Sequence, residues 1–192
     1  MAGHHGRGIA TATLPSRYHA RMHTVFLTNQ AMAIHKLFAV ALLGMSTSLT
    51  TLSGTEMPDQ RGGRDSLAAH RGSPVVAVVV DARRLGTVKR WEQDLLTRFP
   101  GLHVMTVADV NETRPPSIEQ VAAVLARRVP ADVAVLIDME RLWAREFALD
   151  TAAPNLVLID ATGAPVAQFR GRWSAELAAE VRDRVAALLG AA

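Results

Sequence analysis

From Pro74 onward the chain alternates between short apolar runs and longer segments whose apolar residues recur every three or four positions. Residues 75–81 read Val-Val-Ala-Val-Val-Val-Asp, an unbroken β-branched run suited to a strand buried on both faces. Residues 85–98 place Val88, Trp91 and Leu95 at helical spacing, with Phe99 next in the series, and Pro100-Gly101 ends that helix. Residues 102–108 predict a second strand. Ser117 follows Pro115-Pro116 and has Gln120 three positions on, a capping-box pattern that opens a helix over 118–129. Residues 133–138 predict a third strand, and 141–149 a short helix carrying Leu142, Trp143 and Phe147.

The pattern then changes. Residues 155–160 and 165–170 predict two strands joined only by Ala161-Thr162-Gly163-Ala164, a link so short that they must pair as an antiparallel hairpin. Gly171 breaks the second arm, and Ser174 caps a last helix whose apolar stripe is Leu177, Val181, Val185 and Leu188. The order βαβαβα followed by ββα predicts an α/β domain over 74–192, with a central mixed sheet of about five strands flanked by helices.

Upstream of that domain the helix and strand periodicities vanish. From Met32 the chain reads Met-Ala-Ile-His-Lys, then an apolar run over 37–45, then Ser46-Thr47-Ser48. A short basic start, an apolar core and a small-residue end are the parts of a secretory signal, and the run falls short of the about 20 residues a spanning helix needs. The same run would also suit a buried helix, but the lack of any acidic residue before Glu56 favours export. Residues 1–53 are therefore expected to be an extension ending in a signal, cut after Ser48 or Ser53. The expected product is an exported, periplasmic protein with no stable membrane span once mature. Residues 54–73, rich in glycine and polar side chains, predict a flexible linker.

Charge follows the same division. All 18 acidic residues lie at Glu56 or later, and from Gly54 onward 17 Lys and Arg face them, so the domain is electrically balanced. That balance argues against a general nucleic-acid grip, which needs a concentrated basic surface. The chain contains no cysteine, which removes disulfides, thiolate nucleophiles and cysteine-ligated metals. Five of seven histidines precede residue 36, leaving His70 and His103 in the remainder with no metal-ligand spacing between them. No metal or cofactor is expected on this basis.

The element order resembles that of the thioredoxin superfamily. Residues 153–166, Ala-Pro-Asn-Leu-Val-Leu-Ile-Asp-Ala-Thr-Gly-Ala-Pro-Val, followed by Gly171, look like the family segment in which a cis-proline precedes a strand, an Asp-x-x-Gly turn, a second strand and a glycine. The strand and helix over 133–149 look like the elements inserted in peroxiredoxins and in envelope thioredoxin-like proteins that serve cytochrome maturation. In active members of the family a Cys-x-x-Cys pair opens the helix after the first buried strand, where the helix dipole lowers the thiol pKa. Here that segment is Arg84-Leu85-Gly86-Thr87-Val88-Lys89, so Leu85 and Val88 stand in the cysteine positions. Disulfide reductase, oxidase and peroxidase activity are not expected.

The resemblance still implies a place for an extended peptide or another envelope protein, beside Leu85, Gly86, Thr87, Val88, Ala153 and Pro154, with Pro154 in the cis form. Arg83, Arg84 and Lys89 at the helix start offer an anion contact, against the plainer reading of a solvated Arg-rich surface. The expected function is thus that of an exported thioredoxin-like binding or scaffold module without catalytic residues. The alternative is an enzyme or metal-handling protein built on an acidic site of Asp81, Asp138 and Asp160. Asp138 is equally well placed simply to cap the helix after it.

Overall fold

The computed structural model describes residues 52–190, and the signal-like run over 37–45 with its upstream extension lies outside them. A five-stranded sheet forms the centre, in the order β5-β4-β3-β6-β7. Its strands are β3 (Val75–Asp81), β4 (His103–Asp109), β5 (Val135–Asp138), β6 (Asn155–Ile159) and β7 (Pro165–Arg170). β3, β4 and β5 run parallel, whereas β6 is antiparallel to both β3 and β7. The helices are α1 (Lys89–Arg98), α2 (Ile118–Arg128), α3 (Leu142–Glu146) and α4 (Ala175–Gly190).

The unbroken apolar run of β3 is explained by layers on both sides. All seven of its residues are buried. Val75, Ala77 and Val79 face one layer with Met105, Val107, Val157, Trp143 and Phe147. Val76, Val78 and Val80 face the other with Leu156, Leu158, Trp91, Leu95, Val181 and Val185. The period-2 alternation of a strand thus sends neighbouring valines to opposite layers. α2 closes the second layer over β5 through Val121 and Leu125, packed on Val135 and Ile137. Its start is the expected capping box: the Ser117 hydroxyl accepts from Gln120 N–H while the Gln120 side chain accepts from Ser117 N–H.

The helix expected over 85–98 divides. A 3-10 turn (Ala82–Thr87) follows Asp81, and α1 begins only at Lys89. Asp81 stops the strand and starts that turn by accepting from Arg83 N–H at 2.8 Å.

Residues 54–73, expected to be a flexible linker, are instead part of the fold. Two-residue strands β1 (Met57–Pro58) and β2 (Arg64–Asp65) pair antiparallel, and a 3-10 turn (Leu67–His70) leads to β3. Met57 and Leu67 are buried in the first layer, two apolar residues within a polar stretch that supply the burial a linker lacks. The segment also covers the β5 edge. Asp59 bridges to Leu136, and the Gln60 side chain donates to Val133 C=O at 2.7 Å and accepts from Val135 N–H at 2.9 Å. Among the described residues no helix is long and apolar enough to cross a membrane.

Candidate functional site

The 3-10 turn after β3 borders a groove of about 710 Å³, which runs between α1 and the chain connecting α2 to β5. Of the positions singled out in the sequence, Arg83, Leu85, Gly86, Val88 and Lys89 line it. Val88 is buried at the end of the turn and Leu85 half-buried above it. Leu96 lines it further along α1, and Val129, Pro130 and Val133 lie on the connection from α2 to β5. Leu96 is the one large hydrophobic side chain exposed among the described residues, at 46%. The groove floor carries Thr106, buried, whose hydroxyl donates to the Glu92 carboxylate.

Arg84, Thr87, Ala153 and Pro154 do not line this groove. Thr87 turns back, its hydroxyl donating to Arg84 C=O at 2.8 Å. Pro154 is buried and follows a trans peptide bond, so the expected cis-proline is corrected. Trans is the ordinary state of an X–Pro bond, and here the loop is braced in it. Asn155 Nδ2 donates to Asp150 C=O and Ala153 C=O, both at 2.9 Å. The Pro154 carbonyl accepts from Gly171 N–H at 2.9 Å. Gly171 C=O in turn accepts from the Trp91 indole at 3.1 Å, tying α1 to the end of β7.

The anion contact has one arm already engaged. Arg83 donates to Asp81 through Nε at 2.9 Å and through an Nη at 2.5 Å, and this pair, more than any other influence, holds the Asp81 carboxyl below its ordinary range. Lys89 and Arg84 project into solvent beside it.

The acidic site of Asp81, Asp138 and Asp160 is not assembled. β6 runs against β3 in a register that pairs Ile159 with Val75, so Asp160 lies at the start of β3 while Asp81 ends it. Asp160 belongs to the hairpin turn, accepting from the N–H groups of Thr162 and Ala164 at 2.9 Å. Asp109, which no sequence pattern singles out, is the neighbour that Asp81 and Asp138 share. Register places Asp81, Asp109 and Asp138 side by side at the ends of three adjacent strands. All three are buried and occupied. Asp138 accepts from Leu142 N–H and Trp143 N–H at 2.9 Å, capping α3 as its position suggested. Asp109 accepts from Thr151 Oγ1 at 2.5 Å and from Arg141 Nε at 3.2 Å. Arg141 reaches it from a left-handed backbone, φ 57°. These bonds make the row a structural joint between strand ends and loops.

At the opposite end of the sheet the fold unites two histidines that sequence spacing kept apart. Rings of His70 and His103 stack with centroids 3.6 Å apart, and His70 Nε2 lies 2.9 Å from both oxygens of Asp65. Burial, and then the neighbouring His70, hold the His103 imidazole below its ordinary value, partly offset by Asp65. A signal was available: His70 shortly precedes β3 and His103 opens β4, and neighbouring parallel strands start at the same end of a sheet.

No protein-family model matches the chain, and no curated protein matches it. Solved structures do. The exposed lipoprotein thioredoxin Etrx1 of Streptococcus pneumoniae aligns with a TM-score of 0.55 at 15% identity, over 68% of this chain and 98% of that one. The N-terminal domain of PilB from Neisseria gonorrhoeae aligns with a TM-score of 0.56 at 16% identity, over 71% and 91%. MTB dsbF, solved in mixed oxidized and reduced forms, gives 0.54 at 18%, over 73% and 97%. The fold is thioredoxin-like, and the chain that adopts it contains no cysteine.

Proposed function

We propose that this thioredoxin-like chain is an exported binding module that takes an extended peptide into the groove between α1 and the β5 side of the sheet. The carrying observation is Leu96, the one large apolar side chain among the described residues that stands exposed, beside that groove. An exposed apolar rim over a concave surface is where binding gains most from leaving water. The rim also has a charge preference. Lys89 and Arg128 stand on it without an ion pair among the described residues. Arg83 adds a third cation, already shared with Asp81, against Glu92 and Asp132. Lys89 and Arg128, the two rim cations outside any ion pair among the described residues, are where a peptide carboxylate would be held beside its apolar residues.

Thiol chemistry is outside its reach. Leu85 and Val88 offer hydrocarbon where the thioredoxin reaction needs a thiolate, and no cysteine elsewhere in the chain can replace it. The signal-like run over 37–45 supports export, since it has the three parts of a secretory signal.

The test is fluorescence anisotropy with labelled ten-residue peptides, apolar with one Asp, apolar with one Lys, and polar throughout. The acidic apolar peptide is expected to bind the wild type most tightly, and Leu96→Glu on the exposed rim to weaken it at least tenfold. Equal affinity for all three peptides, or an unaffected L96E variant, would refute the groove. Insulin-disulfide reduction by the pure protein would refute the non-redox reading.

A further inference from the structure

We propose that Asp65, His70 and His103 form a binding site for a divalent transition-metal ion, with two imidazoles and one carboxylate as ligands. The site is independent of the peptide groove. β3 separates them: His103 pairs with Val75 at the strand's start, whereas Leu85 and Val88 follow its end, a strand length of about 20 Å away.

Each of the three residues offers a donor atom, and these atoms all lie within 4.8 Å of one another. A zinc ion bound at about 2.0–2.2 Å from nitrogen and oxygen needs donors about 3–3.5 Å apart, so small side-chain rotations close the set. Asp65 already presents both oxygens to His70 Nε2 at 2.9 Å, close to the separation of two ligands on one ion. The His103 ring stacks on His70 at 3.6 Å with 22° between planes, so it must turn about its side-chain bonds to bring an in-plane nitrogen lone pair onto the ion. When an ion enters between Asp65 and His70 Nε2, a proton on that nitrogen leaves to solvent.

The surroundings suit an ion that keeps water. All three ligands are half-buried, so the remaining coordination positions open outward. The donor set selects the metal class: imidazole favours zinc, copper and nickel, whereas magnesium and calcium prefer all-oxygen sites.

The three ligands come from two parts of the chain. Asp65 and His70 belong to the segment before β3, and His103 opens β4 in the sheet. A bound ion therefore clamps that segment to the sheet, and because it binds only the assembled site it raises stability with concentration.

The experiment uses the full chain, stripped with chelator, and follows thermal unfolding and isothermal titration with zinc, nickel and magnesium chlorides. The five histidines before residue 36 are common to every variant, so wild type and variant are compared at identical background. Zinc is expected to raise the wild-type Tm by several degrees and to occupy one more site in the wild type than in His103→Asn. That variant should bind zinc at the site at least 100-fold more weakly and lose the Tm shift. Asp65→Asn, which keeps the side-chain shape, should lose most of the shift even if H103N folds poorly. Overturning results are an unchanged Tm in the wild type, the same zinc response in the wild type and D65N, or a magnesium response equal to that of zinc.

Discussion

Three aspartates end three adjacent parallel strands, and their environments differ sharply. Asp81 is held in its charged form by Arg83. Asp138 is pushed the other way: burial raises its carboxyl above the ordinary range, the N–H groups of Leu142 and Trp143 oppose this, and the charge of Asp109 adds to it. A carboxyl that holds its proton more tightly folded than unfolded stabilises the fold below its unfolded pKa and loses that contribution as pH rises through the folded one. Compared with Asp138→Asn, which cannot titrate, the wild type should therefore lose stability as pH rises from about 4 upward. Urea midpoints of both proteins from pH 3 to 7 measure this, and a constant difference would remove the argument. Asp81 as a strand stop and Asp138 as a helix cap were legible in the sequence, because each acts on residues next to it. Asp109 was not, since only the pairing of β4 between β3 and β5 reveals its neighbours. Trp173 was equally opaque. Its ring lies 3.5 Å under the Arg90 guanidinium, a contact set by where α4 docks.

At the scale of elements, local chemistry was a good guide, and the short 161–164 link fixed the antiparallel direction of β6 and β7. The capping box at Ser117 and the hairpin turn at Asp160 formed where their residues stand. The antiparallel course of β6 against β3 decided where the candidate acids went, and no periodicity encodes that. Gly171 shows how much one junction between elements can carry. It ends β7 at φ 151°, its N–H serves Pro154, its C=O serves Trp91, and a Cβ there would sit 2.9 Å from Leu177 Cδ2. Gly171→Ala should cost about 1–3 kcal/mol, from backbone strain and crowding together. Chemical denaturation checks it. A loss below a few tenths of a kcal/mol would mean that β7 and α4 shift freely.

Across the whole described unit, the sheet is protected at both margins by different means. β7 begins with Pro165, is irregular against β6 near Ile159 and carries Gln168 and Arg170 outward, features that discourage a further strand. β5 relies on the β1–β2 hairpin and on Gln60, which does the work of a paired backbone for Val133 and Val135. The sequence reading missed this cover because glycines and polar residues dominate residues 54–73, and two buried apolar side chains are too few to show a period. The candidate groove was partly legible for the opposite reason. Leu85 and Val88 were found because the family resemblance puts its Cys-x-x-Cys pair at the helix start after the first strand, whereas Leu96 and Val133 join them only in the folded groove.

Leu52, 3% exposed, belongs to the same apolar layer as Met57 and Trp143. Under the export proposed above, cleavage by a signal peptidase would therefore not be indifferent to which bond is cut. Scission after Ser53 would discard a core side chain, at a cost of about 2–3 kcal/mol by analogy with truncating a buried leucine, whereas scission after Ser48 would retain it. Chains beginning at Leu49 should accordingly melt several degrees above chains beginning at Gly54, and under the proposed export N-terminal sequencing of the released chain should find the longer one.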